Sequence, residues 1–486
     1  MRDRSPKGRT SRAWGSVAPG LLAVLAVCFF FHWTVKTAGG FRPPGDEDYY
    51  NFLVQGWRSG HLYLSKAPHP AMSTLTDPYD PAQNAPYRMA DASYFKGRNY
   101  LYFGAVPALL LMLPYGLATG QPLGTTSTIY VLAVVGFVAA CLTFYQVRRR
   151  WFPASPPWVL PVGILVLGCC THVLALQRRP LVWELPITSA YAFSMLTLLL
   201  VLHGLLRGWV RLWLLAGLAF GAAIASRPIY VLGAVAFVPL LWFWWAGRKD
   251  RGTSLAPAAW AVAGVGVWLL AIFAHNYARF GNPLEFGQNY QLTSIYEAKA
   301  DHFAARYLPH NAYIYFASPP KLIPEFPFVA AVAVNEGPPG YLGGWNEAVC
   351  GAALSFPVLL CVLSVPWRWR RWRGEEWALL RVFLLCAACF AAAMGVTVLS
   401  YFLATPRYMA DFMPALTFLA MIGLCDVAQP GTSRLVARLT GGALVLVALF
   451  SVGAGVLLSF DYHRQIAKVT APGAWKRLDE ALTPRR

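Results

Sequence analysis

Three adjacent carboxylates, Asp46, Glu47 and Asp48, follow the first long apolar run and lead into Tyr49-Tyr50. Crowded like charges repel one another, and burial beside lipid raises their pKa further. A chain keeps such a cluster when it holds a cation or when one member serves as a general base. The bland alternative is a solvated acidic turn. A second candidate is Glu184, at the end of Arg178-Arg179-Pro180-Leu181-Val182-Trp183-Glu184. The two arginines there call for an anionic partner, which is either Glu184 itself or a lipid phosphate. A third is Arg407-Tyr408-Met409-Ala410-Asp411, between two apolar runs. Arginine suits bidentate phosphate binding, and the competing reading is an Arg407–Asp411 ion pair. Arg227, between Ser226 and Pro228, is a weaker case of the same kind.

The elements that must position these groups are membrane helices. Of 486 residues, 57% are hydrophobic and 13% charged, against about 25% charge in a soluble domain. Apolar runs of ~20 residues span a bilayer, and only helices or closed barrels satisfy the backbone there. These runs are too long and too uniformly apolar for barrel strands. The expected fold is therefore an all-α integral membrane protein with about eleven transmembrane helices and large outer loops. Spans are expected near residues 17–35, 126–147, 159–175, 189–206, 212–225, 229–246, 258–275, 349–366, 377–402, 412–427 and 441–460.

The net charge of +19 is a topology signal and not a nucleic-acid one, because Lys and Arg gather in short clusters between apolar runs, as cytoplasmic loops require. Arg148-Arg149-Arg150 decides the parity. It falls on the cytoplasmic side only if the proline-containing run 103–118 is interfacial or re-entrant and does not cross. The chain then divides into a basic cytoplasmic N-terminus (1–16), a polytopic body (17–460) with outer loops 39–125 and 276–347, and an outer tail (461–486). A short outer loop, 177–188, carries Glu184. Seventeen of the 22 acidic residues fall outside, although acidic residues obey no strong topology rule. The nine cysteines lie in or beside apolar runs and read as small buried hydrophobes. The histidines lack metal-ligand spacing. No G-x-x-x-x-G-K and no G-x-S-x-G occurs, so ATP-driven and serine-hydrolase chemistry lack support.

The pattern resembles the GT-C superfamily of integral membrane glycosyltransferases, of the bacterial mannosyl- and arabinosyltransferase kind. Asp46-Glu47 with Tyr50, placed just after the first span, is similar to the family's acidic hallmark, and Gly60-His61-Leu62-Tyr63-Leu64 to its continuation. Arg407-Tyr408 with Pro414 looks like the family's late motif, and 103–118 takes the place of its loop helix. One departure is Gly104-Ala105-Val106-Pro107, where many members carry His or Lys with Pro-Pro.

The resemblance implies an inverting transfer of a sugar from a polyprenyl-phosphate donor to an envelope glycan, lipid or protein. This would happen on the periplasmic or exterior face of a bacterial cytoplasmic membrane. Asp46 would be the base, or would hold a divalent metal such as Mg or Mn together with Glu184. Glu47 or Glu184 would assist. Arg407, with Lys96 or Arg98, would bind the lipid phosphate as it leaves. Asp48, Tyr50, Arg227 and Tyr408 would bind substrate or assist. Loop 276–347 would act as a lid, hinged at Gly337-Pro338-Pro339-Gly340 and Gly343-Gly344. The rival readings are a lipid or neutral-solute transporter and a non-catalytic envelope-assembly protein. The spans hold essentially no mid-span acid, which ion-coupled transport would need.

Overall fold

The computed structural model describes residues 7–45, 48–251, 254–297, 300–429, 433–462, 464, 468 and 471–483. Asp46 and Glu47 lie outside the described residues. The chain is an all-α integral membrane protein. Among the described residues, eight helices are long and apolar enough to cross a bilayer. The first is α1 (Lys7–Thr37), which ends where Gly39 and Gly40 take positive φ and turn the chain away. After it comes α2 (Tyr49–Arg58), an amphipathic helix that buries Tyr50, Leu53 and Val54 at i, i+3 and i+4 spacing.

Residues 103–118 do not form one regular helix. A single π-turn over Ala108–Met112 leads into α3 (Leu113–Thr119). The apolar stretch Ala108–Thr119 is only ~18 Å long at 1.5 Å per residue. Both its ends return to the start of α2. Tyr50 donates its hydroxyl to Gly104 O at 3.2 Å, and Asn51 Nδ2 donates to Leu123 O at 3.0 Å. Entry and exit thus lie at one level.

The body then runs through α4 (Thr125–Trp151), α5 (Val159–Cys169), α6 (Val173–Arg178), α7 (Glu184–Arg207) and α8 (Val210–Ser226). The apolar stretch Pro228–Gly247 and helix α9 (Ala256–Phe280) follow. The packing order is α4 on α7, α7 on α8 and α8 on α9. At the last contact, a Cβ on Gly217 would stand 2.0 Å from Ala261 O. Only glycine lets the two backbones approach so closely. After the third loop come α10 (Glu375–Leu399), α11 (Met409–Val427) and α12 (Arg434–Asp461). Of the eight long helices, α11 is the most buried.

Three expected spans are less regular than their apolar runs suggest. Run 159–175 breaks between α5 and α6, where His172 takes φ 62 and meets the Tyr462 hydroxyl at 3.1 Å. Runs 229–246 and 349–366 contain 3₁₀ stretches, Pro228–Phe237 and Pro357–Leu363, each led by a proline. Proline fits the first turn of a helix, and the tighter i→i+3 pattern continues from it.

Charged groups sort to two ends. At one, Arg150 is bidentate to Glu376 (3.0 and 2.7 Å) and Arg368 meets Asp426 at 3.2 Å. The loops occupy the other end. There, the hairpin of β1 (Ala92–Phe95) and β2 (Arg98–Leu101) turns through Lys96 and Gly97, both at positive φ. The third loop locks onto it: Asp91 N donates to Leu292 O at 2.8 Å, and Leu292 N to Ala92 O at 2.9 Å. The C-terminal helix Pro472–Leu482 docks at this end too, with Trp475 against Phe326 of the third loop.

Candidate active site

Arg179 and Arg407 converge at the loop-bearing end. Arg179 sits just beyond α6, and Arg407 in the 3₁₀ turn Pro406–Tyr408 that leads into α11. Both donate to one atom, Glu347 Oε1, each through Nη1 at 2.6 Å. Glu347 belongs to the third loop and is held there by backbone pairing. Its N–H donates to Ala404 O at 3.0 Å, and Ala404 N to the Asn346 side chain at 2.7 Å.

Glu184 completes this group from the first residue of α7. It is wholly buried, yet among the described residues neither carboxylate oxygen accepts a hydrogen bond. Its neighbour is Arg179 Nε at 3.7 Å, too far for a hydrogen bond. A buried carboxylate left unbonded in this way calls for a functional reason. Arg178, by contrast, meets no acid among the described residues. It donates to Thr37 Oγ1 at 3.2 Å and lies over the Phe460 ring.

Aromatic rings tie the group to its surroundings. Trp183 stands under Arg179 and Arg407, with ring centroids 4.9 and 5.8 Å from the guanidinium carbons. Its indole N–H donates to Asp91 Oδ2 at 2.7 Å, while Gln291 Nε2 donates to Oδ1 at 3.2 Å. Burial pushes the Asp91 carboxyl above its usual range, and the Trp183 bond partly offsets the rise. Tyr408 lies between Arg407 and Arg227, 5.3 Å from each. Tyr401 packs on Tyr408 at 5.4 Å. Beside it, His302 meets Glu297 at 2.6 Å. The cluster thus gathers residues from loops one and three, the 178–184 connection and the start of α11.

The expected site residues fall into three groups. Glu184, Arg407 and Tyr408 come together, with Arg227 on the far side of Tyr408. Arg227 is already occupied: Nε and Nη2 donate to Asp411 Oδ2 at 3.1 and 2.8 Å, and Tyr230 donates to Oδ1 at 3.1 Å. The Arg407–Asp411 pair weighed from the sequence is therefore replaced by Arg407–Glu347 and Arg227–Asp411.

Asp48 and Tyr50 hold α2 in place. Asp48 caps that helix through Asn51 N at 3.2 Å and accepts from Thr125 Oγ1 at 2.9 Å, while Tyr50 is buried. Lys96 and Arg98 are exposed on the hairpin, near the Phe95 and Tyr63 rings (5.2 and 4.6 Å), with no contact to Arg407. Asp46 and Glu47 lie outside the described residues, directly before the Asp48 cap in the chain. Among the described residues, no three His, Cys, Asp or Glu side chains gather as metal ligands.

Sequence reading missed Asp91, Glu347 and the Glu297–His302 pair. The acidic excess in the outer loops pointed to these segments, but loops carry no periodicity to single out a residue. Trp183 stands out in the sequence only as a neighbour of Glu184.

No family model and no curated protein matches the chain. Two solved structures of ArnT from Cupriavidus metallidurans are similar to it. The one bound to undecaprenyl phosphate aligns with 94% of this chain and 78% of its own, at 12% identity and a TM-score of 0.47. The apo structure aligns with 95% and 78%, at 14% identity and a TM-score of 0.46.

Proposed function

We propose that this chain is a membrane glycosyltransferase of the GT-C kind, which moves a sugar from a polyprenyl-phosphate donor to an envelope glycan, lipid or protein. The observation that carries the reading is the shared grip of Arg179 and Arg407 on one carboxylate oxygen, at 2.6 Å each, beside the unbonded Glu184. Two guanidiniums aimed at one oxygen form a phosphate-type anion site. It lies at the end of the spans, where a lipid phosphate rides while its tail stays in the bilayer. With the basic clusters cytoplasmic, the site faces the periplasm or exterior of a bacterial cytoplasmic membrane.

In this reading the lipid phosphate replaces the Glu347 carboxylate between the two arginines. Asp46 accepts the proton of the acceptor hydroxyl. The hydroxyl oxygen attacks the anomeric carbon from the face opposite the phosphate and inverts it. The anomeric C–O bond breaks, and its electron pair leaves on the phosphate oxygen. Arg179 and Arg407 stabilise the charge that develops there. Glu184, and Glu47 beside Asp46, orient the reacting hydroxyls. Lys96 and Arg98 are not assigned to the phosphate, because the hairpin carries them elsewhere. Glu184 is already faced by Arg179 at 3.7 Å, a neighbour that suits an anion or a hydroxyl better than a divalent cation, so no step is routed through a metal.

The test is transfer of radiolabelled sugar from lipid-linked sugars extracted from the native membrane, with protein in proteoliposomes. Wild type should transfer, and Asp46→Asn should insert normally but lose transfer. Full transfer by that variant, or movement of labelled lipid across the bilayer without transfer, would overturn the proposal.

A further inference from the structure

A polar cavity beside the arginine site shares Trp183 with it. Its volume is about 440 Å³, within the ~300–1,000 Å³ typical of small-molecule sites. Rings line much of it: Tyr49, Tyr87, His69 and Trp183. His69 stacks on Tyr87 with centroids 4.9 Å apart, and Tyr49 is fixed by its hydroxyl, which donates to Ala90 O at 2.6 Å.

Two polar groups in the wall have chemistry that the protein itself leaves incomplete. Asn99 is 3% exposed, and its Oδ1 accepts no hydrogen bond. Among the described residues, its Nδ2 meets only the Met89 sulfur, at 3.7 Å. A buried amide oxygen without a donor is costly unless a ligand supplies one. Arg88 is held by two neutral groups, Asn84 Oδ1 and Ser294 Oγ, each at 2.9 Å. No carboxylate among the described residues pairs with it, whereas Arg179, Arg227 and Arg407 each have one. Arg88 is therefore a preorganised cation with donors to spare.

We propose that this cavity binds the acceptor, and that the acceptor presents an acidic sugar residue, one carrying a phosphate or a carboxylate. The rings pack on the apolar faces of the sugar, Asn99 accepts from a hydroxyl, and Arg88 pairs with the acid. Trp183 then forms a wall common to acceptor and donor phosphate, which sets the two substrates side by side. The inference rests on the transferase reading above.

The full chain in nanodiscs tests it by saturation-transfer NMR with three soluble probes: glucose 6-phosphate, glucuronate and neutral methyl glucoside. An acidic probe should bind about tenfold more tightly than the neutral one, a preference that one charge-assisted bond supplies. Arg88→Gln should erase the preference, Arg88→Lys should restore part of it, and Asn99→Leu should weaken all three. Geranyl phosphate, a short stand-in for the donor lipid, should bind Arg88→Gln as it binds wild type, which also shows that the variant is folded. Equal binding of acidic and neutral probes, or an unchanged preference in Arg88→Gln, overturns the acceptor proposal. Failure of geranyl phosphate to bind wild type overturns the donor reading instead.

Discussion

Glu347 Oε1 stands 2.6 Å from Arg407 Nη1 although 60 residues separate the two in sequence. The same oxygen accepts from Arg179 at 2.6 Å, so the carboxylate occupies the place where two guanidiniums would hold a phosphate oxygen. Under the proposed function, donor entry requires Glu347, and the loop that carries it, to move aside.

Glu347→Gln should therefore bind geranyl phosphate more tightly, by about three- to tenfold, because the competing anion is gone. The same change should lower the stability of the ligand-free protein by about 1–3 kcal/mol. Titration and thermal unfolding in one detergent read both effects. Weaker binding would mean that Glu347 orders the arginines and does not compete for them.

Arg407→Gln should reduce transfer by about 10²–10³, the usual cost of losing one preorganised donor to a developing oxyanion. Arg407→Lys should recover only part, because a point charge lacks the planar fork. Lys96→Ala and Arg98→Ala should leave donor KM unchanged, since the hairpin holds both away from Arg407. Steady-state kinetics on the four variants separates these outcomes.

Arg227 and Asp411 should behave as a structural pair. Asp411→Ala leaves a buried guanidinium uncompensated, at a cost of about 3–5 kcal/mol. Replacing both with leucine should regain much of that stability. If Arg227→Leu/Asp411→Leu is stable but no longer binds geranyl phosphate, Arg227 belongs to the donor site as well.

Burial raises the folded-state pKa of Asp91 above its ordinary value. Its ionised form is thus the disfavoured one in the fold. The stability it contributes is present below the unfolded value of about 3.9 and is lost as pH rises through the raised folded value. The melting temperature of Asp91→Asn relative to wild type should therefore be higher near pH 8 than near pH 4. Thermal unfolding at the two pH values checks the sign.

The apolar runs made the long helices legible because a bilayer admits few alternatives to a helix. The basic clusters also told which helix ends belong together: Arg150 and Glu376, 226 residues apart, meet at 2.7 Å. Local irregularities were harder to see. The turn at His172 depends on a left-handed residue and a contact with Tyr462 that no run of hydrophobic residues records. The site was half legible. Glu184, Arg407 and Tyr408 stood out as charged or aromatic residues at helix ends. Glu347 and Asp91 did not, because each gains its meaning from partners 60–168 and 92–200 residues away. Asp48 caps a helix, a contact that the sequence alone does not separate from a carboxylate that does chemistry.

Native mass spectrometry of the protein released from its own membrane tests most directly whether the paired arginines hold a polyprenyl phosphate. Wild type should carry a bound species with the mass of a polyprenyl phosphate or its sugar ester, absent from Arg407→Gln. Wild type carrying only ordinary phospholipids, or the same prenyl adduct at equal occupancy on Arg407→Gln, would contradict it.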